Sequence, residues 1–376
     1  MNTKLPSSLH IDSGRGFRST QRQVLYLIQG LQQRGGEVLL CCPKAGHLFR
    51  HAKAQGIPTH PLTIRSGLDF PSTVRLARLF AESPVDLVHT HDAASQSVAR
   101  AAQGMSREQG PRFGLVSSRH DIDGEETLNQ LQSADSSVRW LAAAPRIFKH
   151  LEKLGVPAAQ IDLVPHGVDL ETFADLRSEP ADPWGLRQSA GPVIGTVSHL
   201  SRQKNVSLLL QAFSRLLETA PTAQLLIAGE GPQLRTLHKL SDSLGIAEKV
   251  TFAGVVDDLR SLYASMDIFA LASDGEISCY ALLDAMGAGV PIACTASAGI
   301  LSVARHGTTA LVVPPRDAEA LAESMARLLQ QPDLARSVVG GALEIARTYS
   351  VDRMVELTLE SYQKLANNPR SGSSAG

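Results

Sequence analysis

Short apolar runs of strand length alternate with amphipathic helical patterns along nearly the whole chain, and that order leaves few folds open. Strands joined through a helix run parallel, and a parallel sheet needs helices on both faces. In the first half, strands are expected at 9–12, 37–42, 85–89, 113–118, 140–144 and 161–165. A helix expected at 21–34 sets Val24, Leu25, Leu27, Ile28 and Leu31 on one stripe and stops at Gly35-Gly36. The second half repeats the rhythm, with strands expected at 193–198, 224–228, 250–253, 268–272, 291–294 and 310–313. At 376 residues the chain exceeds one core, so two α/β domains are expected, over 1–170 and 191–350. Pro180, Pro183 and Gly185 mark 171–190 as the linker. A last helix, 351–366, has Met354, Leu357, Leu359, Tyr362 and Leu365 to bury, and the small polar residues of 367–376 predict a disordered tail.

The segment LASDGEISCYALLDAMGAGVP, 271–291, is the richest in chemistry. It puts Glu276 in a loop straight after an apolar strand and Asp284 two turns into the helix that follows. Open α/β sheets hold ligands at the carboxyl ends of their strands. Helix-start amides between the two acids face an anion, because they lack partners within the helix and the helix dipole favours negative charge there. A carboxylate further along can accept hydrogen bonds from a diol such as a ribose. The set suits a nucleotide that carries a sugar.

The spacing of acid, seven residues, acid resembles the motif of family four of the retaining glycosyltransferases. The likeness continues through VIGTVSHLSRQKNVSLLLQAF, LLIAGEGPQLRTL, VTFAGVVDDLRSLYASMDIFALAS and TALVVPPRDAEALAESM, in the family's order. It is strong over roughly 190–350 and weaker over 9–170. The resemblance implies the GT-B fold: two Rossmann-like domains facing across a cleft, with the C-terminal helix crossing back onto the N-terminal, acceptor-side domain. It implies that Lys204 meets the donor diphosphate, that Glu276 touches hydroxyls of the donor sugar, and that Asp284 takes the ribose contact more often made by glutamate. His199 stands where family members often carry arginine, with Arg202 able to substitute for it. Ile277 and Cys279, on either side of Ser278, occupy positions where glycines are usual in this donor-facing loop. Gly229 and Gly231 form a turn that either lines the cleft or is purely structural. The dinucleotide fingerprint fails there, because Leu234 takes the third glycine position.

In the first half, HIDSGRGFRSTQRQVLYLIQGLQQRG resembles the family's first strand, glycine loop and helix, with Gly16 before Ser19 and Thr20, which replace adjacent glycines. VHTHD resembles the cleft-lining histidine segment and puts forward His91 as a catalytic candidate; a structural histidine or a His-x-His zinc pair are the alternatives, although no companion ligands are evident. LVSSRHD offers Arg119 and His120, and the pattern does not choose between them. Asp121-Ile122-Asp123 reads as a solvated loop. No metal and no cofactor is implied beyond the nucleotide-sugar substrate. The implied partners are that donor and a glycan or lipid-linked acceptor, with lipopolysaccharide and other cell-envelope glycans as the class by analogy.

A formal net charge of −1 argues against a nucleic-acid partner held by a general basic surface. Residues 1–170 hold 19 Lys and Arg against 15 Asp and Glu, and the remainder 17 against 22. That excess suits peripheral contact with an anionic membrane, and a plain solvated surface is the alternative reading. Cys41, Cys42, Cys279 and Cys294 show neither a disulfide framework nor paired zinc spacing, and no apolar run resembles a signal peptide or a spanning helix, so a cytoplasmic setting is expected. A sugar-nucleotide epimerase, a non-catalytic nucleotide-sugar binder and an NAD-dependent dehydrogenase are the rival readings.

Overall fold

The computed structural model describes residues 5–16, 19–105, 113–122, 138–174, 176, 182–186, 191–275 and 279–367. The chain divides into two compact units, Met1–Gly167 with Val351–Gly376, and Val168–Ser350.

Seven parallel strands make the sheet of the first unit: β1 Ser8–Ile11, β2 Val38–Cys42, β3 Thr59–Pro61, β4 Leu87–Thr90, β5 Gly114–Arg119, β6 Val138–Ala142 and β7 Ile161–Leu163. Their order is β3-β2-β1-β4-β5-β6-β7. Strand β3 was not among those expected. Its three residues are too few to show a pattern, and Pro61 is tolerated because β3 lies at the sheet's edge. Helix Ser19–Gln33 buries the five residues expected of it, and Gly35, at φ +80°, ends it while the Gly36 amide donates to Leu31 O at 2.9 Å. Against it packs the final helix, Val351–Asn367. Val355, Met354 and Tyr362 are buried there, whereas Leu357, Leu359 and Leu365 are only half-buried; Thr358 and Ser361 complete the inner face.

The second unit has six strands: β8 Val193–Val197, β9 Gln224–Ala228, β10 Val250–Gly254, β11 Ile268–Leu271, β12 Ile292–Thr295 and β13 Leu311–Val313. They run in the order β10-β9-β8-β11-β12-β13, and all pairings are parallel. Successive strand residues go to opposite faces, so Leu226, Phe269 and Ile292 enter one core while Leu225, Ile227, Ile268 and Ala293 enter the other. Part of the stretch expected to be linker is ordered structure of this unit. Asp169 accepts from Thr172 N at 3.1 Å to cap the short helix Leu170–Phe173, and Phe173 meets Tyr263 edge-on at 5.6 Å.

Each sheet reverses strand order once, between β1 and β4 and between β8 and β11. A crevice opens beyond the carboxyl ends of such strand pairs, and it is the usual ligand position in open α/β sheets. The four cysteines are buried without a disulfide among them, and burial pushes the Cys294 thiol up to about 12. Among the described residues no helix is long and apolar enough to cross a membrane.

Candidate active site

In the second unit the reversal point gathers two loops. After β8 the chain runs through Ser198, His199 and Leu200 into a 3-10 turn, Arg202–Lys204. Asn205 follows at φ 46°, and helix Val206–Leu216 begins without a side chain capping it. Lys204 therefore closes a turn one residue short of the helix region rather than opening the helix. It is half-buried, whereas His199 and Arg202 are exposed. Gly229 and Gly231 lie beneath this loop: Leu200 N donates to Glu230 O at 2.8 Å and Ser198 N to Ala228 O at 2.9 Å. A Cβ on Gly229 would stand 1.9 Å from Ser198 O, and one on Gly231 2.6 Å from Leu200 O. Of the two roles open for these glycines, the structural turn has a physical cause in that close approach.

The loop after β11 lies against the first. Asp274 N donates to Gln203 O at 3.0 Å, and the Gln203 amide donates to Gly275 O. Glu276, Ile277 and Ser278 lie outside the described residues. Cys279 precedes helix Tyr280–Gly287 and is buried in the same core cluster as Leu282 and Met286, so its thiol packs as an apolar group rather than facing outward. Asp284 is half-buried in the second turn of that helix, nearer its start than the sequence spacing implied.

In the first unit the reversal point carries two carboxylates. Asp12, after β1, accepts from Gly14 N at 2.8 Å; Asp92, after β4, accepts from Ser13 N at 2.8 Å, Ser13 Oγ at 2.9 Å and Ser95 N at 2.8 Å. Burial and the neighbouring Asp92 charge hold the Asp12 pKa well above the usual carboxylate range. Gly16 is exposed beyond them, and Ser19 and Thr20 open the first helix, half-buried, with Thr20 Oγ1 donating to Gln21 Oε1 at 3.1 Å.

Beside these acids lies a buried group of imidazoles. His91 Nε2 shares a hydrogen bond with His10 Nδ1 at 3.0 Å, and His10 Nε2 another with Ser8 Oγ at 3.1 Å. His89 is held by Tyr362 Oη and Ser118 Oγ, each at 2.8 Å, and His120 Nδ1 pairs with His166 Nε2 at 2.9 Å. Burial keeps all five neutral: it lowers His10 to about 3 and His120 to about 4, and holds His89, His91 and His166 well below the ordinary histidine value. The expectation that His89 and His91 lack companion ligands is corrected by His10, since one nitrogen from each of the three lies within 4.8 Å of the others. The register pairs His10 directly with His89. Both ring nitrogens of His10 and of His89 are nevertheless engaged, and a metal ion would have to displace those partners. Arg119 turns into the protein, donating to Ser117 Oγ at 2.9 Å and lying 4.9 Å over the Trp140 ring, while His120 is partly exposed.

Comparison with known proteins bears on this geometry. A family model described as glycosyl transferases group 1 matches residues 183–342, and one described as glycosyltransferase family 4 matches residues 20–172. Over 317 residues the chain is 31% identical to a GDP-mannose-dependent α-(1-6)-phosphatidylinositol monomannoside mannosyltransferase of Mycobacterium tuberculosis, covering 77% of this chain and 78% of that relative. The chain belongs to glycosyltransferase family 4. It is a glycosyltransferase, and the rival enzyme and binder readings fall away. An N-acetyl-α-D-glucosaminyl L-malate synthase of Bacillus anthracis is 26% identical over 318 residues, 81% of each chain. Among solved structures, HepE of Anabaena in complex with UDP and glucose superposes with a TM-score of 0.81 at 19% identity, over 95% of this chain and 99% of that one. That likeness, with the two parallel sheets, gives this family-4 transferase the GT-B fold.

Proposed function

We propose that this transferase takes a sugar from a nucleotide-sugar donor held by the unit Val168–Ser350 and passes it, with retained anomeric configuration, to a glycan or lipid-linked acceptor of the cell envelope, lipopolysaccharide being one such acceptor. One observation carries the reading. The loops after β8 and β11 are hydrogen-bonded to each other at the reversal point, and they bring Lys204 beside the start of a helix that no side chain caps. An ammonium and helix-start amides that no side chain caps favour a diphosphate, and more strongly as it gathers charge on leaving. The bond from the anomeric carbon to the diphosphate oxygen breaks with its electron pair left on that oxygen, the acceptor oxygen bonds to the same face, and the hydroxyl proton passes to the departing diphosphate. No metal is assigned, since the lysine and amides meet the diphosphate charge. The name of the mycobacterial relative, with GDP-mannose, and the HepE complex, with UDP and glucose, both support a nucleotide sugar without choosing the base. Saturating a panel of UDP-, GDP-, ADP- and dTDP-sugars in turn, one donor should raise the melting temperature by about 5 °C at roughly a hundred times its Kd. Lys204→Ala should lose most of that shift. An undiminished shift in Lys204→Ala would overturn the diphosphate assignment.

We further propose a cytoplasmic setting with peripheral membrane contact through the first unit. Leu68 is 95% exposed and Phe70 67%, and exposed Arg65, Arg75 and Arg78 lie along the same loop and the helix Phe70–Glu82. Their apolar tips and positive charge together suit an anionic lipid surface, where each cation contributes about 1 kcal/mol. Cosedimentation with vesicles containing phosphatidylglycerol should fall at least fivefold in Leu68→Ser with Phe70→Ser; equal binding by the double variant would refute this contact.

A further inference from the structure

Among the described residues only two without a glycine side chain adopt positive φ, Asn205 at 46° and Arg316 at 62°. They are far apart in sequence, one before helix Val206–Leu216 and the other just before helix Ala318–Gln330. Both bond to the same carboxylate. Asn205 Nδ2 donates to Asp274 Oδ1 at 3.3 Å, and Arg316 Nε donates to Asp274 Oδ2 at 3.1 Å. Left-handed backbone is disfavoured for a side chain such as arginine's, and it persists where surrounding contacts over-determine it, most often at functional sites. Asp274 is the side chain that both of them meet.

Asp274 is also tied through its backbone. Its amide donates to Gln203 O at 3.0 Å, and the adjoining Ser273 Oγ donates to the same oxygen at 3.4 Å. One residue thus joins three loops at the carboxyl edge of the sheet, those following β8, β11 and β13.

We propose that Asp274 is a positioning residue for donor binding, its carboxylate fixing the Lys204 turn against the loop that follows β11. The proposal rests on the donor-site reading given above and deepens it. Asp274 does not touch the donor. It sets where the turn that carries the lysine stands at the carboxyl edge of the sheet, and a displacement of that turn takes the ammonium away from the diphosphate.

Calorimetric titration with UDP, GDP, ADP and dTDP separates the outcomes. For whichever nucleoside diphosphate binds the native chain, Asp274→Ala should weaken affinity about tenfold while the melting temperature of the unliganded protein changes little, because the residue is partly exposed. Asp274→Asn, which keeps an acceptor oxygen for one partner, should recover part of the loss. Arg316→Ala should weaken binding severalfold, and combined with Asp274→Ala it should add nothing. Native affinity in Asp274→Ala, with Lys204→Ala impaired, overturns the clamp alone. Native affinity in both variants, or no binding by the native chain, overturns the donor site and the clamp with it. A loss in Asp274→Ala that tracks a lowered melting temperature and is not recovered by Asp274→Asn marks a merely structural residue and also overturns the proposal.

Discussion

Replacing His10 by phenylalanine would keep a ring in the space between β2 and β4 but remove the partner 3.0 Å from His91 Nε2. His91 is 5% exposed, so water cannot readily take over, and a buried polar atom left without a partner costs about 1–3 kcal/mol. The urea midpoint of His10→Phe should drop accordingly, and His10→Gln, which retains a hydrogen-bonding group, should lose less; an unchanged midpoint in the phenylalanine variant would show that the bond does not hold His91. The pairing also marks the limit of what single residues disclose. His91 and Lys204 stand out in the sequence as candidates because each follows a strand that announces itself, and Asp284 because it lies on the helix after one. His10, Asp12 and Asp274 cannot, since their roles come from neighbours brought in by register or by a distant loop: His10 faces His89 only because β1 and β4 are adjacent, and Asp274 meets Arg316 across 42 positions. Arg119 ends its strand as a ligand-binding residue would, yet Ser117 and Trp140 offer its guanidinium a place inside.

At the scale of elements, two glycines with positive φ separate conformational cost from collision. Gly35, at +80°, ends the first helix with nothing within 4 Å of a hypothetical Cβ, so Gly35→Ala meets only the backbone penalty, about 1 kcal/mol. Gly229, at +131°, would drive its Cβ to 1.9 Å from Ser198 O. Because that contact is backbone against backbone, no rotamer relieves it, and Gly229→Ala should cost roughly 3 kcal/mol or more and displace the His199 loop. Thermal melts of the two variants provide the comparison; equal losses would mean that the turn beneath His199 yields freely. The same distinction explains which elements could be read. Strands β8, β9, β11 and β12 lie inside the sheet, buried along nearly their whole length, and their largely apolar runs survive in the sequence as a signal. Strand β3, with the edge residues Thr59, His60 and Pro61, has no such run. The short helix Leu170–Phe173 was masked by its neighbourhood of prolines, although the Asp169 cap three residues before Thr172 was a legible start.

Across the molecule, charge chemistry is distributed unevenly, and acid should expose it. Five histidines, His10, His89, His91 and His166 buried and His120 half-buried, all belong to the first unit and all have pKa values lowered by burial. Below about pH 6.5 the unfolded chain binds protons that the folded unit refuses, so stability is intact above that value and falls as pH drops toward the folded values, which for His10 and His120 lie at about 3 and about 4. Each histidine contributes about 1.4 kcal/mol per pH unit in this window. Asp12 acts in the opposite direction, since its raised pKa lets the folded state hold a proton the unfolded state has lost, but it is one group against five. The net loss by pH 5.5 is on the order of 5 kcal/mol, a large share of the about 5–15 kcal/mol that holds a domain together. In the second unit the displaced carboxylate is Asp258, held below the usual range by hydrogen bonds from Ser261, and its stabilisation begins to fail only near the ordinary carboxylate value. Hydrogen exchange at pH 7.5 and 5.5, corrected for intrinsic rates, should therefore show β1, β4 and β5 losing protection while β8, β9 and β11 keep theirs. Retained protection in β1 and β4 at pH 5.5 would mean that the imidazoles take up protons within the fold, and would contradict their assignment as a neutral, buried cluster.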